Sequence, residues 1–270
     1  MGLELTQQEF IAIRDYIKRH YGINLSDEKQ ALVYTRLSPV LEEHGFSSFD
    51  EYFAFVKRNR EASITFIDKI TTNHTYFMRE ANHFDLLRDM ALPWIEKKFA
   101  GQRDLRIWCA GCSSGEEAYT IQMVIKDYFD GRLSWNQVIL ATDLSTRALR
   151  RAVAGVYNED AVKPLPEIWI SKYFRKFDKH RFIVNDELRR DVTFRKLNLM
   201  GKLSFAKPFQ VIFCRNVMIY FDMETRTDLV KKLYNCLEPE GFLFVGHSEA
   251  LGSNNCFKLI GPAAYRKERE

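Results

Sequence analysis

Four stretches of this 270-residue chain carry polar side chains whose types and spacing suit ligand binding. The first is "RIWCAGCSSGEEAYTI", residues 106–121, which reads as a strand, a turn of small residues and a helix start. Gly111 and Gly115 allow a tight turn with close approach of a ligand. A helix N-terminus after such a turn ordinarily attracts phosphate. Glu116 and Glu117 would repel it. One of the two reads as a complement to the helix dipole, and the other can sit near a positive part of a ligand. The second stretch, "VILATD", ends in Asp143, and an acid at that strand end can accept both hydroxyls of a ribose. Taken alone, it could equally cap the next helix.

The third stretch is "TTNHTYFMREANHF", residues 71–84, where Asn73, Thr75 and Arg79 stand among Tyr76, Phe77 and Met78. Arginine pairs bidentately with carboxylates. The same residues also fit a helix cap with a surface arginine. The fourth is "FCRNVMIYFD", residues 213–222. Here Arg215 and Asn216 follow an apolar strand at its carboxyl end, where α/β sheets bind ligands. If buried, that pair needs partners, and it fits a structural role as well. Together the first two stretches narrow to an adenosine-type ligand. NAD wants free amide donors at the first turn, which the glutamate pair opposes. S-adenosylmethionine has an ammonium, a sulfonium and a carboxylate, and no phosphate.

The elements that must position these residues fall into two parts. Residues 6 to about 70 show helical spacing, with Phe10, Ile13 and Ile17 on one face and Leu32, Val33, Leu37, Val40 and Leu41 on another. Ser26 precedes Glu28 and Lys29 as a helix cap would, and residues 46–56 and 64–70 predict further short helices. From residue 104 onward, strand and helix patterns alternate, which predicts a doubly wound α/β sheet. Residues 173–195 alternate with a period near two and predict a small antiparallel β insertion on it. The expected domains are therefore an all-α domain at 1–70 and an α/β domain at 71–270.

Composition excludes several classes. No run approaches the ~18 apolar residues that cross a bilayer, and the first residues lack the form of a signal peptide. Gly2 and Thr6 meet the myristoylation pattern loosely, but the segment reads better as a helix start. The net charge of +4 is spread among interleaved acids and bases, unlike the basic stripe of a nucleic-acid binder. Five cysteines without an export signal predict a reducing, cytoplasmic setting. Cys109 and Cys112 form a C-x-x-C with no second ligand pair, so they read as small core residues.

The motifs "TTNHTYFMRE", "SSGEEAYTI", "ATDLS", "KLNLM", "FCRNVMIYFD" and "GHSE", in this order, resemble those of the chemotaxis receptor glutamate O-methyltransferases, the CheR family. The likeness extends to "YGINLSDEKQALVYTRL" in the helical part. It implies a Rossmann-like methyltransferase domain with a small antiparallel subdomain, preceded by an all-α domain. It also implies cofactor contacts at Asn73, Thr75, Arg79, Glu117, Asp143, Asn198, Leu199, Arg215 and Asn216, with Tyr220 near the reacting centre. The cofactor implied is S-adenosylmethionine, leaving S-adenosylhomocysteine, with no metal. The implied partners are the cytoplasmic methylation helices of chemoreceptors, met by a monomer that inserts in no membrane and binds no nucleic acid.

Two departures from the family pattern stand out. Met78 replaces a frequent phenylalanine. The loop "FRKFDKHRF" lacks the G-x-G of members that dock on a receptor's C-terminal pentapeptide, so independence of that tether is expected. Arg79 is expected to steer a carboxylate and Tyr220 to orient the acceptor oxygen, while Lys29 and Arg36 are candidates for reading the acidic receptor helix. Other readings are a methyltransferase for another substrate, a NAD-dependent oxidoreductase, and a non-catalytic S-adenosylmethionine-sensing adaptor.

Overall fold

The computed structural model describes residues 3–251 and 256–268, so Gly2 lies outside the described residues. Four helices open the chain: α1 (Gln7–Tyr21), α2 (Gln30–His44), α3 (Phe49–Arg58) and α4 (Arg60–Ile70). Thr6 starts α1 with a capping box, in which its hydroxyl accepts from Glu9 N and the Glu9 carboxylate accepts from Thr6 N at 2.9 Å. Phe10, Ile13 and Ile17 then meet Val33, Leu37, Val40 and Leu41 in one apolar core. Ser26 precedes a single 3-10 turn, Asp27–Lys29, and makes no side-chain cap bond, so α2 begins one turn later than the cap signal suggests. The caps Ser48 and Asn59, rather than the first apolar residues, set where α3 and α4 begin.

Among the described residues ten strands follow: β1 (Ile107–Ala110), β2 (Ile139–Asp143), β3 (Val156–Asn158), β4 (Phe174–Lys176), β5 (Arg181–Val184), β6 (Val192–Lys196), β7 (Phe209–Cys214), β8 (Leu237–Val245), β9 (Phe257–Gly261) and β10 (Ala264–Lys267). Seven form one sheet in the order β6-β2-β1-β7-β8-β10-β9. The first five run parallel, and β10 and β9 add antiparallel at the far edge. Helices cover both faces: α5 (Asn82–Leu86), α6 (Leu92–Lys98), α7 (Glu116–Tyr128), α8 (Thr146–Ala154), α9 (Glu159–Val162), α10 (Glu167–Tyr173), α11 (Asp186–Arg190) and α12 (Met223–Cys236). Strand β1 shows why both faces are dry. Ile107 and Cys109 point into one core and Trp108 and Ala110 into the other, the period-two alternation of a strand buried on both sides.

The small antiparallel sheet exists, and β4 and β5 fall within 173–195 as expected, but its third strand lies outside that range. It has the order β3-β5-β4 and begins at Val156. Phe194 lies in β6, which pairs parallel to β2 from Ile139↔Val192 to Asp143↔Lys196 and so belongs to the main sheet. A period of two marks a strand without saying which sheet it joins.

Candidate active site

Strands β2, β1 and β7 are neighbours at the middle of the sheet, and chain order reverses across them. Ligands of such folds bind in the crevice outside these carboxyl ends. A cavity of about 540 Å³ opens there, within the ~300–1,000 Å³ usual for small-molecule sites. Asn73, Thr75 and Arg79 line it from the segment before α5, and Glu117 from the first turn of α7. Asp143 lines it from the end of β2, Asn198 and Leu199 from the loop after β6, and Arg215, Asn216 and Tyr220 from the turn after β7. The structure thus brings all ten predicted residues to one cavity.

The glycine turn after β1 is closed on itself. Gly111 (φ 88) and Gly115 (φ 100) take left-handed backbone, as does Ser113 (φ 50). Gly111 N and Cys112 N both donate to Thr142 O, at 2.7 and 2.9 Å. Ser113 N donates to Asp143 Oδ2 at 2.8 Å, and Gly115 N to Cys112 O at 3.0 Å. These four amides are therefore spent within the protein and do not form a pyrophosphate cradle. Asp143 also accepts from Ser145 N at 2.8 Å through Oδ1. Burial pushes its carboxyl up, against the pull of those backbone donors. Each oxygen keeps a second lone pair for a ligand hydroxyl.

The two glutamates part company. Glu116 accepts from Ser114 Oγ at 2.7 Å, is buried in the first turn of α7 and does not line the cavity. Glu117 does line it. Cys109 Sγ donates to its Oε1 at 3.2 Å, and Arg215 Nη1 lies 3.1 Å from its Oε2 without hydrogen-bond geometry. Burial raises the Glu117 carboxyl, and Arg215 opposes the rise. The Arg215 side chain is wholly buried, and its Nη2 donates to Arg79 O and, at 3.1 Å, to Glu80 Oε2. The Arg-Asn pair is thus both cavity wall and part of a buried ion cluster in which Arg215 Nε and Nη1 have no hydrogen-bond partner, so its structural and binding readings coexist. Arg79 turns its own Nη1 to His74 O at 2.8 Å, packs over Tyr76 and stays partly exposed.

Several contributors escaped the sequence reading. Glu249, in "GHSE", is buried and gathers three backbone amides: Asn216 N and Gly246 N at 2.6 Å on Oε2, and Ile219 N at 3.0 Å on Oε1. It holds Asn216 in left-handed backbone (φ 56) at the head of the turn that carries Tyr220. The available signals were the "GHSE" motif itself and an acid three residues past Gly246, and neither says which amides the acid binds. The helical domain supplies another wall. Asn24 N donates to Tyr220 O at 2.7 Å, and Ile23 bridges to Phe221. Arg36 lines the cavity with Tyr220, its guanidinium held by Ile70 O and by Thr72 Oγ1 at 2.9 Å. Lys29 lines the same opening and is exposed. Asn198 joins the domains as well, donating to His20 O at 2.7 Å. Cys109 and Cys112 are fully buried free thiols whose pKa burial raises, as suits inert core residues.

Residues 8–71 match the all-α domain of the CheR methyltransferases, and residues 73–265 match their S-adenosylmethionine-binding domain. The chain belongs to the CheR family. It is 42 % identical to the chemotaxis protein methyltransferase of Borreliella burgdorferi, over 99 % of this chain and 96 % of that protein. The chemotaxis protein methyltransferase of Escherichia coli is 35 % identical, over 99 % of this chain and 93 % of that one. A probable chemotaxis protein methyltransferase of Rhizobium etli is 35 % identical over 91 % of this chain and 94 % of its own. As a CheR methyltransferase the chain depends on S-adenosylmethionine, and a cavity with its turn amides spent and an acid at the β2 end fits that phosphate-free nucleoside. No helix among the described residues is long and apolar enough to cross a membrane.

Proposed function

We propose that this chain methylates glutamate side chains of bacterial chemoreceptors, forming methyl esters in sensory adaptation. One observation carries the reading: a single cavity is shared by the cofactor-side residues of the α/β domain and by Tyr220 and Arg36 at the junction with the helical domain. When bound, S-adenosylmethionine supplies a sulfonium-activated methyl group to a carboxylate oxygen and leaves S-adenosylhomocysteine.

In this reading Asn73, Thr75, Arg79, Glu117, Asp143, Asn198, Leu199, Arg215 and Asn216 hold the cofactor. Asp143 takes the ribose hydroxyls, and Arg79 steers a carboxylate. The acceptor glutamate, with a pKa of ~4.3, is already ionised at neutral pH, so no residue need act as general base. What remains for the chain is alignment and exclusion of water. Alignment alone can lower a barrier by roughly 7–11 kcal/mol. Tyr220 orients the acceptor oxygen, and the helical domain excludes water from one side. The cationic Arg36 and Lys29 at the mouth suit an acidic receptor helix.

The hairpin between β4 and β5 supports independence of a receptor pentapeptide. Its turn has no glycine and is closed internally, with Asp178 accepting from His180 N at 3.0 Å and from Arg181 Nε at 2.7 Å. Titration with such a peptide is expected to give no binding, and micromolar affinity would overturn this part.

The main test incubates the chain with receptor-rich membranes and methyl-labelled cofactor. Base-labile label on receptor glutamates is the expected result. Cofactor binding without transfer would leave a sensing adaptor instead, and base-stable label would mean another acceptor.

A further inference from the structure

Beside the cofactor cavity, on the far side of Arg215, three side chains meet that the methyl-transfer chemistry does not use. His83 of α5 is fully buried, and its Nε2 lies 2.8 Å from Pro262 O. A carbonyl only accepts, so Nε2 carries the proton and Nδ1 presents a bare lone pair. That Nδ1 is buried and has no hydrogen-bond partner. It lies 3.7 Å from Glu80 Oε2. His247, just past β8, brings its Nε2 to 4.0 Å from the same oxygen, and its ring stands edge-on to His83 with centroids 5.0 Å apart. The three ligand atoms all lie within 4.8 Å of one another. Glu80 takes this position from left-handed backbone, φ 55.

An orphaned imidazole nitrogen in a dry site is costly unless something fills it. The arrangement has the form of a metal ligand and its support. A ligating histidine ordinarily donates its other ring N–H to a carbonyl or carboxylate, which fixes the tautomer and aims the free nitrogen. Pro262 O performs that task here. Two imidazoles and one carboxylate suit zinc or a similar first-row divalent ion, with a water completing the shell. Zinc–nitrogen bonds of ~2.0–2.1 Å need these atoms drawn closer than they stand. His247, with 46 % of its side chain exposed, makes most of that movement by giving up the 3.1 Å hydrogen bond between its Nε2 and Asn82 Oδ1.

We propose that Glu80, His83 and His247 bind one divalent transition-metal ion, tying α5 and the turn before it to the end of β8. Magnesium, which prefers an all-oxygen shell, should not compete. Since Glu80 Oε2 also accepts from Arg215 at 3.1 Å, a bound ion shares that carboxylate with the cofactor cavity. The proposal needs no assumption about the methyl acceptor.

Calorimetric titration of the chelator-stripped full chain with zinc chloride tests it. One ion per chain at micromolar affinity is expected, unaffected by excess magnesium. Cobalt(II) in its place should give visible absorption bands. His247→Ala is the informative variant, because its half-exposed side chain can be removed without opening the core. Affinity for zinc at least tenfold weaker in His247→Ala, with an unchanged melting temperature in chelator, supports the site. Absence of one-to-one binding, or equal affinity in His247→Ala, overturns it. Loss of methyl transfer to receptors would bear on the proposed function and leave this outcome untouched.

Discussion

At the scale of single residues, several polar groups at the cavity are held by named partners, and removing one has a separable effect. If Tyr220 only orients the acceptor, Tyr220→Phe should lose one or two orders of magnitude in methyl-transfer rate, with S-adenosylhomocysteine affinity kept in calorimetry. Glu249 should behave differently. In Glu249→Gln one amide of the Asn216 turn faces an NH2 group instead of a carboxylate oxygen. The loss is about 2 kcal/mol of stability by chemical denaturation, together with weaker cofactor binding because Asn216 shifts. Glu116 allows a test by pH. Burial raises its carboxyl above the ordinary value, so the native state binds that proton more tightly than the unfolded chain. Stability is then fully present below pH ~4.3 and declines as pH rises through the native value. Glu116→Gln lacks this decline. Its stability relative to the parent should grow as pH rises from about 4.3 through the native value and then level off, as followed by urea midpoints.

At the scale of elements, the sequence made the strand–turn–helix unit at Gly111 and the strand-end acid visible because glycines and a lone carboxylate interrupt apolar runs. It left hidden which neighbours those groups face. Nothing in "GEEAYTI" separates Glu116, turned to Ser114, from Glu117, turned to Arg215. That difference arises from rotation about α7 and from strand β7, far away in the chain. Strand β6 was misassigned for a similar reason, since alternation is local and sheet membership is not. Gly111 offers an element-level test. A Cβ there would stand 2.3 Å from Val217 Cγ2, at a φ of 88. Gly111→Ala should cost about 1–2 kcal/mol for left-handed backbone, and overpacking against Val217 adds roughly 1–3 kcal/mol. Cofactor affinity should fall with it, since Val217 adjoins Asn216. Adding Val217→Ala should recover the packing share but not the backbone share.

Across the whole molecule, the two parts are joined by specific contacts. Asp222 caps α12 by accepting from Thr225 N at 2.9 Å and pairs with Lys18 of α1 at 2.8 Å. The hydrogen bond from Lys18, with those from Thr225, holds its carboxyl well below the usual range. Asp222→Ala should lose ~1 kcal/mol for the cap, and the exposed pair adds only ~0–1 kcal/mol. This difference is present above the unfolded carboxylate pKa of ~3.9 and disappears only as pH falls through the much lower native value. Denaturation at pH 7 and at pH 4 should therefore show nearly the same gap from the parent.

Gly22 has a counterpart consequence. It ends α1 in left-handed backbone, and a Cβ there would stand 2.4 Å from Met200 Sδ, while Asn24 hydrogen-bonds the Tyr220 carbonyl two residues further on. The helical part is thus a structural member of the cavity wall. Bisecting the chain near residue 71 should leave a truncated C-terminal half inert even toward a free glutamyl peptide, and activity should return only when the missing half is supplied in trans.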